Sequence, residues 1–431
     1  MRKMKDSGIL GVGKVPISWE QTRLGYECYI RARLGWRGLK ADEYVDEGYA
    51  FISAFNIQDG KLVWEPLNYI TQERYDESPE IKLNIGDVLL VKDGAGVGKS
   101  ARVDSLPCGG TAPNSSIGVI TPYNSMSYRY VCYYIQSPVF SNFVGLLYNG
   151  MGVPHLTQEI LKTIRILMPP LDEQQSICDY LDEKCAEFDT IKSDIQSQIE
   201  ALEEYKRSVI TEAVTKGLDP DVEMRDSGIA WVGDIPAHWL VEKVKFHLQR
   251  NEPRNPGDKQ VLSVYREYGV IPKDSRDDNH NVTSEDTSNY KYVVPGNLVI
   301  NKMKAWQGSM GVSEYEGIVS PAYFIYKFTD NQIMPKYLHY LFRSCYKDEF
   351  RRISGGIREG QWDLSPYEFS NTLLLIPPTD EQNRIVSYID ARISEIEFAI
   401  TEKKQQIETI EEYKKSLIFE YVTGKKEVVN E

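Results

Sequence analysis

One phrase occurs twice in this chain, and that duplication limits the possible architectures more than any other feature. "MKDSGILGVGKVPISW" from Met4 to Trp19 and "MRDSGIAWVGDIPAHW" from Met224 to Trp239 agree at 9 of 16 positions, where chance gives about one. A longer repeat follows. The 49 residues from Met168, opening "MPPLDEQ", align without a gap on those from Ile376, opening "IPPTDEQ", with 21 identities, and "EEYK-x-S" recurs near both ends. The stretches between phrase and repeat, Glu20–Leu167 with 148 residues and Leu240–Leu375 with 136, share little. The chain is therefore an opening phrase, a variable middle and a shared segment, then the same again.

The shared segments read as long helices. Ile177, Leu181, Phe188, Ile191, Ile195, Ile199, Leu202, Tyr205 and Val209 recur at spacings of three, four or seven. Ile385, Ile389, Ile396, Ile400, Ile407, Ile410, Tyr413 and Leu417 repeat that stripe. Pro169–Pro170 and Pro377–Pro378 stop the preceding strands, Asp172 and Asp380 can cap the starts, and Gly217 and Gly424 end the runs. Each helix would be roughly 65 Å long, which outruns a domain of about 150 residues.

The middles read as β-rich, with short apolar runs such as "GDVLLVKD" and "GNLVINKM" punctuated by Gly, Pro, Asn and Asp. Short helices are expected near "YRYVCYYIQSPVFSNFV" and "PKYLHYLFRSCYKDEFRR". The fold class is α+β, with boundaries at 1–168, 169–217, 218–376, 377–425 and a tail at 426–431.

Composition and motifs argue against chemistry. Six scattered cysteines form no C-x-x-C pair, which suits reduced thiols in a cytoplasm. No apolar run approaches the roughly 18 residues of a membrane span, so no membrane partner is expected. The formal net charge of −13 speaks mildly against coating nucleic acid unaided. "KDGAGVGKS" is not a P-loop, because the first glycine of that motif would fall at Asp93. A glycine-rich turn bringing Lys92 or Lys99 to a polyanion is the better reading. The five histidines enter no metal or catalytic pattern, and no cofactor is expected.

Each middle does interleave cations with aromatics and amides. "IRARLGWRGLK" sets Arg31, Arg33 and Arg37 around Trp36; "NKMKAWQGSM" and "RRISGGIREGQW" supply Lys302, Lys304, Gln307, Arg351, Arg352 and Arg358. Arg pairs with guanine, Gln with adenine, and Lys neutralises phosphate.

At "PPLDEQ" and "PPTDEQ", each following a β-rich middle and opening a helix that ends near "EEYK-x-S", the chain resembles the specificity subunit of type I restriction-modification enzymes. The resemblance covers essentially the whole chain. It implies two target recognition domains, each reading half of a bipartite sequence in double-stranded DNA. The long helices would form an antiparallel coiled coil that separates the domains by a fixed distance. Tandem copies would then place the opening phrase of one half near the helix end of the other, with pseudo-twofold symmetry.

The resemblance further implies a non-catalytic subunit that recruits two methyltransferase subunits, which bind S-adenosylmethionine, and a restriction endonuclease/translocase subunit. The expected DNA contacts are Arg31, Arg33, Trp36, Arg37 and Lys99 in the first domain, and Lys302, Lys304, Gln307, Arg351, Arg352 and Arg358 in the second. Four residues inserted near Ser193 would lengthen the spacer by about 6 Å, one to two base pairs at 3.4 Å each. The alternative is a coiled-coil scaffold with two protein-binding heads, which would show no salt-dependent affinity for duplex DNA.

Overall fold

The computed structural model describes every residue except 1, 34–38, 40, 95, 148–154, 267–268, 276–282, 284–285, 357–361 and 429–431. It divides into two units, Met1–Ile195 with Lys404–Glu431, and Gln196–Lys403. Each unit therefore holds one variable middle, half of one long helix and half of the other.

In the first unit a four-stranded sheet runs Ser100–Arg102, Val88–Val91, Ile117–Pro122, Cys28–Arg31, antiparallel throughout. Val88, Leu89, Leu90 and Val91 are all buried, which is why that strand is a continuous apolar run. The second unit orders Met310–Val312, Leu298–Asn301, Tyr323–Phe328, Leu248–Arg250 the same way. Two middles with little sequence in common thus share one sheet topology. In each, the first strand pairs with the last: Glu20–Arg23 with Arg165–Met168, and Leu240–Lys243 with Leu373–Ile376. Both ends of the middle are thereby pinned where the long helix begins. The expected short helices are present at Tyr128–Gln136, Pro138–Leu147, Pro335–Cys345 and Lys347–Arg352.

The long helices span Leu171–Lys216 and Thr379–Val422, 46 and 44 residues. Asp172 and Asp380 do not cap them. Both lie inside the first turn, where a carboxylate faces the positive end of the helix dipole. Gly217 and Gly424 end the helices with φ of +76° and +64°, the left-handed conformation that favours glycine. At Gly424 a Cβ would also lie 2.5 Å from Pro16 Cδ and 3.1 Å from the Trp19 ring.

Ion pairs fix the helix direction inside each unit. Lys414 meets Asp189 at 2.6 Å and Lys192 meets Glu411 at 2.6 Å. In the second unit Lys206 meets Glu397 at 2.7 Å, and Lys403 donates to Gln198 at 2.5 Å. Rising numbers on one helix meet falling numbers on the other, so the two run antiparallel. Isoleucines 195, 199, 396 and 400 of the expected stripe are buried, but Ile191, Tyr205 and Tyr413 are exposed. A two-helix seam covers a narrower face than the apolar stripe offers. Tyr413 still packs edge-on against Phe188, ring centres 5.4 Å apart.

The repeated motifs turn out to be joints. Gln174 and Gln382, from the two "DEQ" triplets, are both fully buried. Gln174 accepts from the Ser127 N–H at 2.8 Å and donates to the Pro169 and Ser125 carbonyls at 2.9 and 3.2 Å. Gln382 repeats this with the Met334 N–H and the Pro377 and Gln332 carbonyls. Trp19 and Trp239, the last residues of the two phrases, are buried to 0% and 1% exposure. In the first unit the phrase packs on the end of the second long helix: Lys425 donates to the Lys14 carbonyl at 2.7 Å, and Tyr130 to that of Val422 at 3.0 Å. The opening of the chain thus meets its close, as antiparallel tandem copies require.

His339 gives the second unit a pH dependence. Its Nδ1 accepts from the Val312 N–H at 3.2 Å, and its ring packs on Gly269 and Gly311. Burial, reinforced by Arg343 and Lys336, pushes its pKa down from 6.5 to about 4. The unfolded chain then binds a proton that the folded one refuses. The contribution is complete above pH 6.5 and is lost as pH falls toward 4. A shift of this size corresponds to about 3 kcal/mol, discounted to about 2 for partial exposure. His339→Gln should flatten denaturation midpoints between pH 7 and 4; an unchanged pH slope would assign the loss elsewhere.

Candidate nucleic-acid interface

The two quoted runs "KDGAGVGKS" and "KMKAWQGSM" occupy the same place in the two sheets. Each joins two antiparallel neighbours, Val88–Val91 to Ser100–Arg102 and Leu298–Asn301 to Met310–Val312. The loops are closed alike, by Val91 N–H to the Lys99 carbonyl at 2.8 Å and Asn301 N–H to the Ser309 carbonyl at 3.0 Å. Gly98 and Gly308 turn each loop with φ of +92° and +84°, a conformation open to glycine at little cost. Lys92 and Lys302 are anchored by equivalent bonds, to the Ser116 and Ala322 carbonyls and from the Leu156 and Leu364 N–H groups. Ser100 opens a strand, not a helix, so the geometry of a P-loop is absent.

One frame therefore carries two different sets of side chains. In the first hairpin, glycines leave Lys99 exposed. In the second, Trp306 donates to the Met303 carbonyl at 3.1 Å, packs 5.6 Å from Trp362 and lies under Arg351 at 5.9 Å. The Gln307 amide oxygen accepts from Arg266. Trp362 and Arg266 escaped the sequence reading, since each is distant in sequence from the hairpin and only the sheet topology brings it there.

The other expected contact residues divide by what already holds them. Arg31 is 7% exposed and its guanidinium meets fully buried Asp87 at 2.7 Å, with Thr121 beside it. Its charge is consumed in the core, which corrects its expected place at a DNA surface. A buried charge persists only when paired, and the strand Cys28–Arg31 turns this side chain inward. Arg33 meets Glu77 at 3.4 Å, Lys302 meets Asp363 at 3.3 Å, and Arg352 meets Glu349 at 2.7 Å. Lys99 and Lys304, one in each hairpin, are exposed and make no ion pair among the described residues. Trp36, Arg37 and Arg358 lie outside the described residues. No group of His, Cys, Asp or Glu among the described residues could hold a metal ion. No described helix is long and apolar enough to cross a membrane.

Two heads of one topology, each presenting its own side chains on a common hairpin and tied to shared helices, define a recognition subunit. The chain belongs to the type I restriction-modification DNA specificity family, whose domain model matches residues 19–201 and 247–409. It is 26% identical to the type I restriction enzyme MjaVIII specificity subunit of Methanocaldococcus jannaschii, over 97% of this chain and 95% of that one. The EcoKI specificity subunit of Escherichia coli K12 is 23% identical over 88% of this chain and 83% of its own. A chain solved in work on complex assembly and conformational transition of the type I R-M system matches the fold with a TM-score of 0.67. The match covers 96% of this chain and 99% of that one at 14% identity.

Proposed function

We propose that this subunit reads a bipartite site in double-stranded DNA, one half with each variable middle, and that the long helices fix the gap between the halves. The domain boundaries are 1–168 and 218–376 for the reading heads, and 169–217 and 377–425 for the spacer helices. The shared helices and phrases dock two methyltransferase subunits, and a restriction subunit joins the complex. The chain itself catalyses nothing. It brings partners that do, in the cytoplasm, to an address it selects.

One observation carries this reading: the same hairpin recurs in both heads with different side chains, and each presents a lysine without an acidic partner among the described residues. A lysine of this kind neutralises phosphate whatever the base, while variable neighbours reach base edges. Partner subunits can supply further positive surface, so the net charge of −13 is no obstacle.

Replacing Glu20–Leu167 with the corresponding segment of another family member should alter one half-site of the modified motif and leave the second half-site intact. Mapping modified bases in cells that carry the hybrid with its methyltransferase tests this. A hybrid that changed both halves, or lost its methyltransferase while folded, would count against the division of labour.

A further inference from the structure

We infer that a cleft beside the second hairpin is the base-reading site of the second head, with Gln307 as the specificity-determining side chain and Arg266 as its positioning residue. This rests on the reading of the heads as DNA-binding domains.

The cleft encloses about 360 Å³ and is lined by Lys273, Lys304, Asn301, Gln307, Trp306 and Tyr290, among others. None of its lining residues among the described ones is acidic, in a chain carrying 63 Asp and Glu against 50 Lys and Arg. By contrast, the cleft of similar volume in the first unit is lined by Asp59, Asp104 and Asp182. A concavity with cations, amides and aromatic faces, and no lining carboxylate among the described residues, suits a polyanion that also offers hydrogen-bonding edges.

Gln307 is prepared to read such an edge. Arg266 donates to its Oε1, which settles the amide orientation, and Arg343 in turn donates to the Arg266 carbonyl. An amide oxygen has two lone pairs, so one remains for the N6–H of adenine while Nε2 donates to N7. Holding the amide in place before DNA arrives removes part of the ordering cost of binding. Lys304 sits on the same loop, exposed and unpaired among the described residues. It is placed to neutralise an adjacent phosphate.

The test uses the full chain with its methyltransferase subunit. The modified motif is mapped first, and duplexes bearing that motif, altered one base pair at a time, then serve as binding probes. Gln307→Ala should remove about ten- to hundredfold of discrimination at one adenine position of one half-site. Gln307→Glu should move the preference there toward cytosine, whose N4 donates. Arg266→Ala should weaken discrimination at that position only. Lys304→Ala should weaken all duplexes alike and lower the salt slope by about one.

An unchanged motif in both Gln307 variants, with melting like the parent chain, overturns the assignment. So does a change that appears in both half-sites. If the unaltered chain preferred no duplex, the reading of the heads would itself fail, and this inference with it.

Discussion

Seven residues inserted after Ser197, together with seven after Gln405, widen the gap of the recognised motif by about three base pairs. The two positions correspond under the 208-residue offset of the duplication, so both helices grow by the same amount. Seven residues add about 10 Å of helix, and 3.4 Å of duplex answers to one base pair. A heptad returns the apolar seam to its own phase, so Ile195, Ile199, Ile396 and Ile400 can stay buried. Four residues near Ser193 add about 6 Å but turn the downstream helix by roughly 40° at 3.6 residues per turn, which would misalign that seam. The paired heptad therefore isolates length from rotation. Both half-sites should be retained, and only the number of unread base pairs between them should rise. An unchanged gap in a folded, active complex would mean that the helices do not act as the ruler.

The second large effect concerns the two buried glutamines. Gln174→Leu keeps the volume and deletes three hydrogen bonds, stranding the Ser127 N–H and the Pro169 and Ser125 carbonyls. A buried polar group left without a partner costs about 1–3 kcal/mol, so a loss of about 3 kcal/mol or more is expected for the first unit. In a domain near 200 residues that lowers its melting temperature by about 6–12 °C. Gln382→Leu should do the same to the second unit, where it strands Met334 N–H. Exposed Gln175, one residue along, is the control and should cost little. Differential scanning calorimetry of the three variants separates the cases, and equal traces for Gln174→Leu and Gln175→Leu would discard the clamp. The clamp also ties each head to the start of its spacer helix. A loosened joint should therefore blur the preferred gap as well as lower stability.

Much of this architecture is legible in the sequence because duplication compares the chain with itself. Residues shared by two otherwise divergent halves must serve what the halves have in common: Gln174 and Trp19 prove to be joints between middle, phrase and helix, and Lys414 ties one long helix to the other. Helix ends are legible too, since proline and glycine act locally through φ. The candidate interface is less legible. "IRARLGWRGLK" reads as a basic surface, yet Arg31 is drawn inward by Asp87, 56 residues away and invisible to a local reading. Arg33 and Lys302 likewise meet carboxylates distant in sequence, whereas the Glu349 partner of Arg352 lies three residues away on the same helix, where spacing alone could have found it. The equivalence of the two hairpins is hidden for the opposite reason: sheet order is preserved while most of the loop residues have changed.

The most direct test is to express this chain with its methyltransferase subunit in a host lacking such marks and to map modified bases across the genome. One split motif with a fixed gap, absent when this chain is omitted, is the expected result. Modification that persists without the chain, or none at all despite a stable complex, would contradict it.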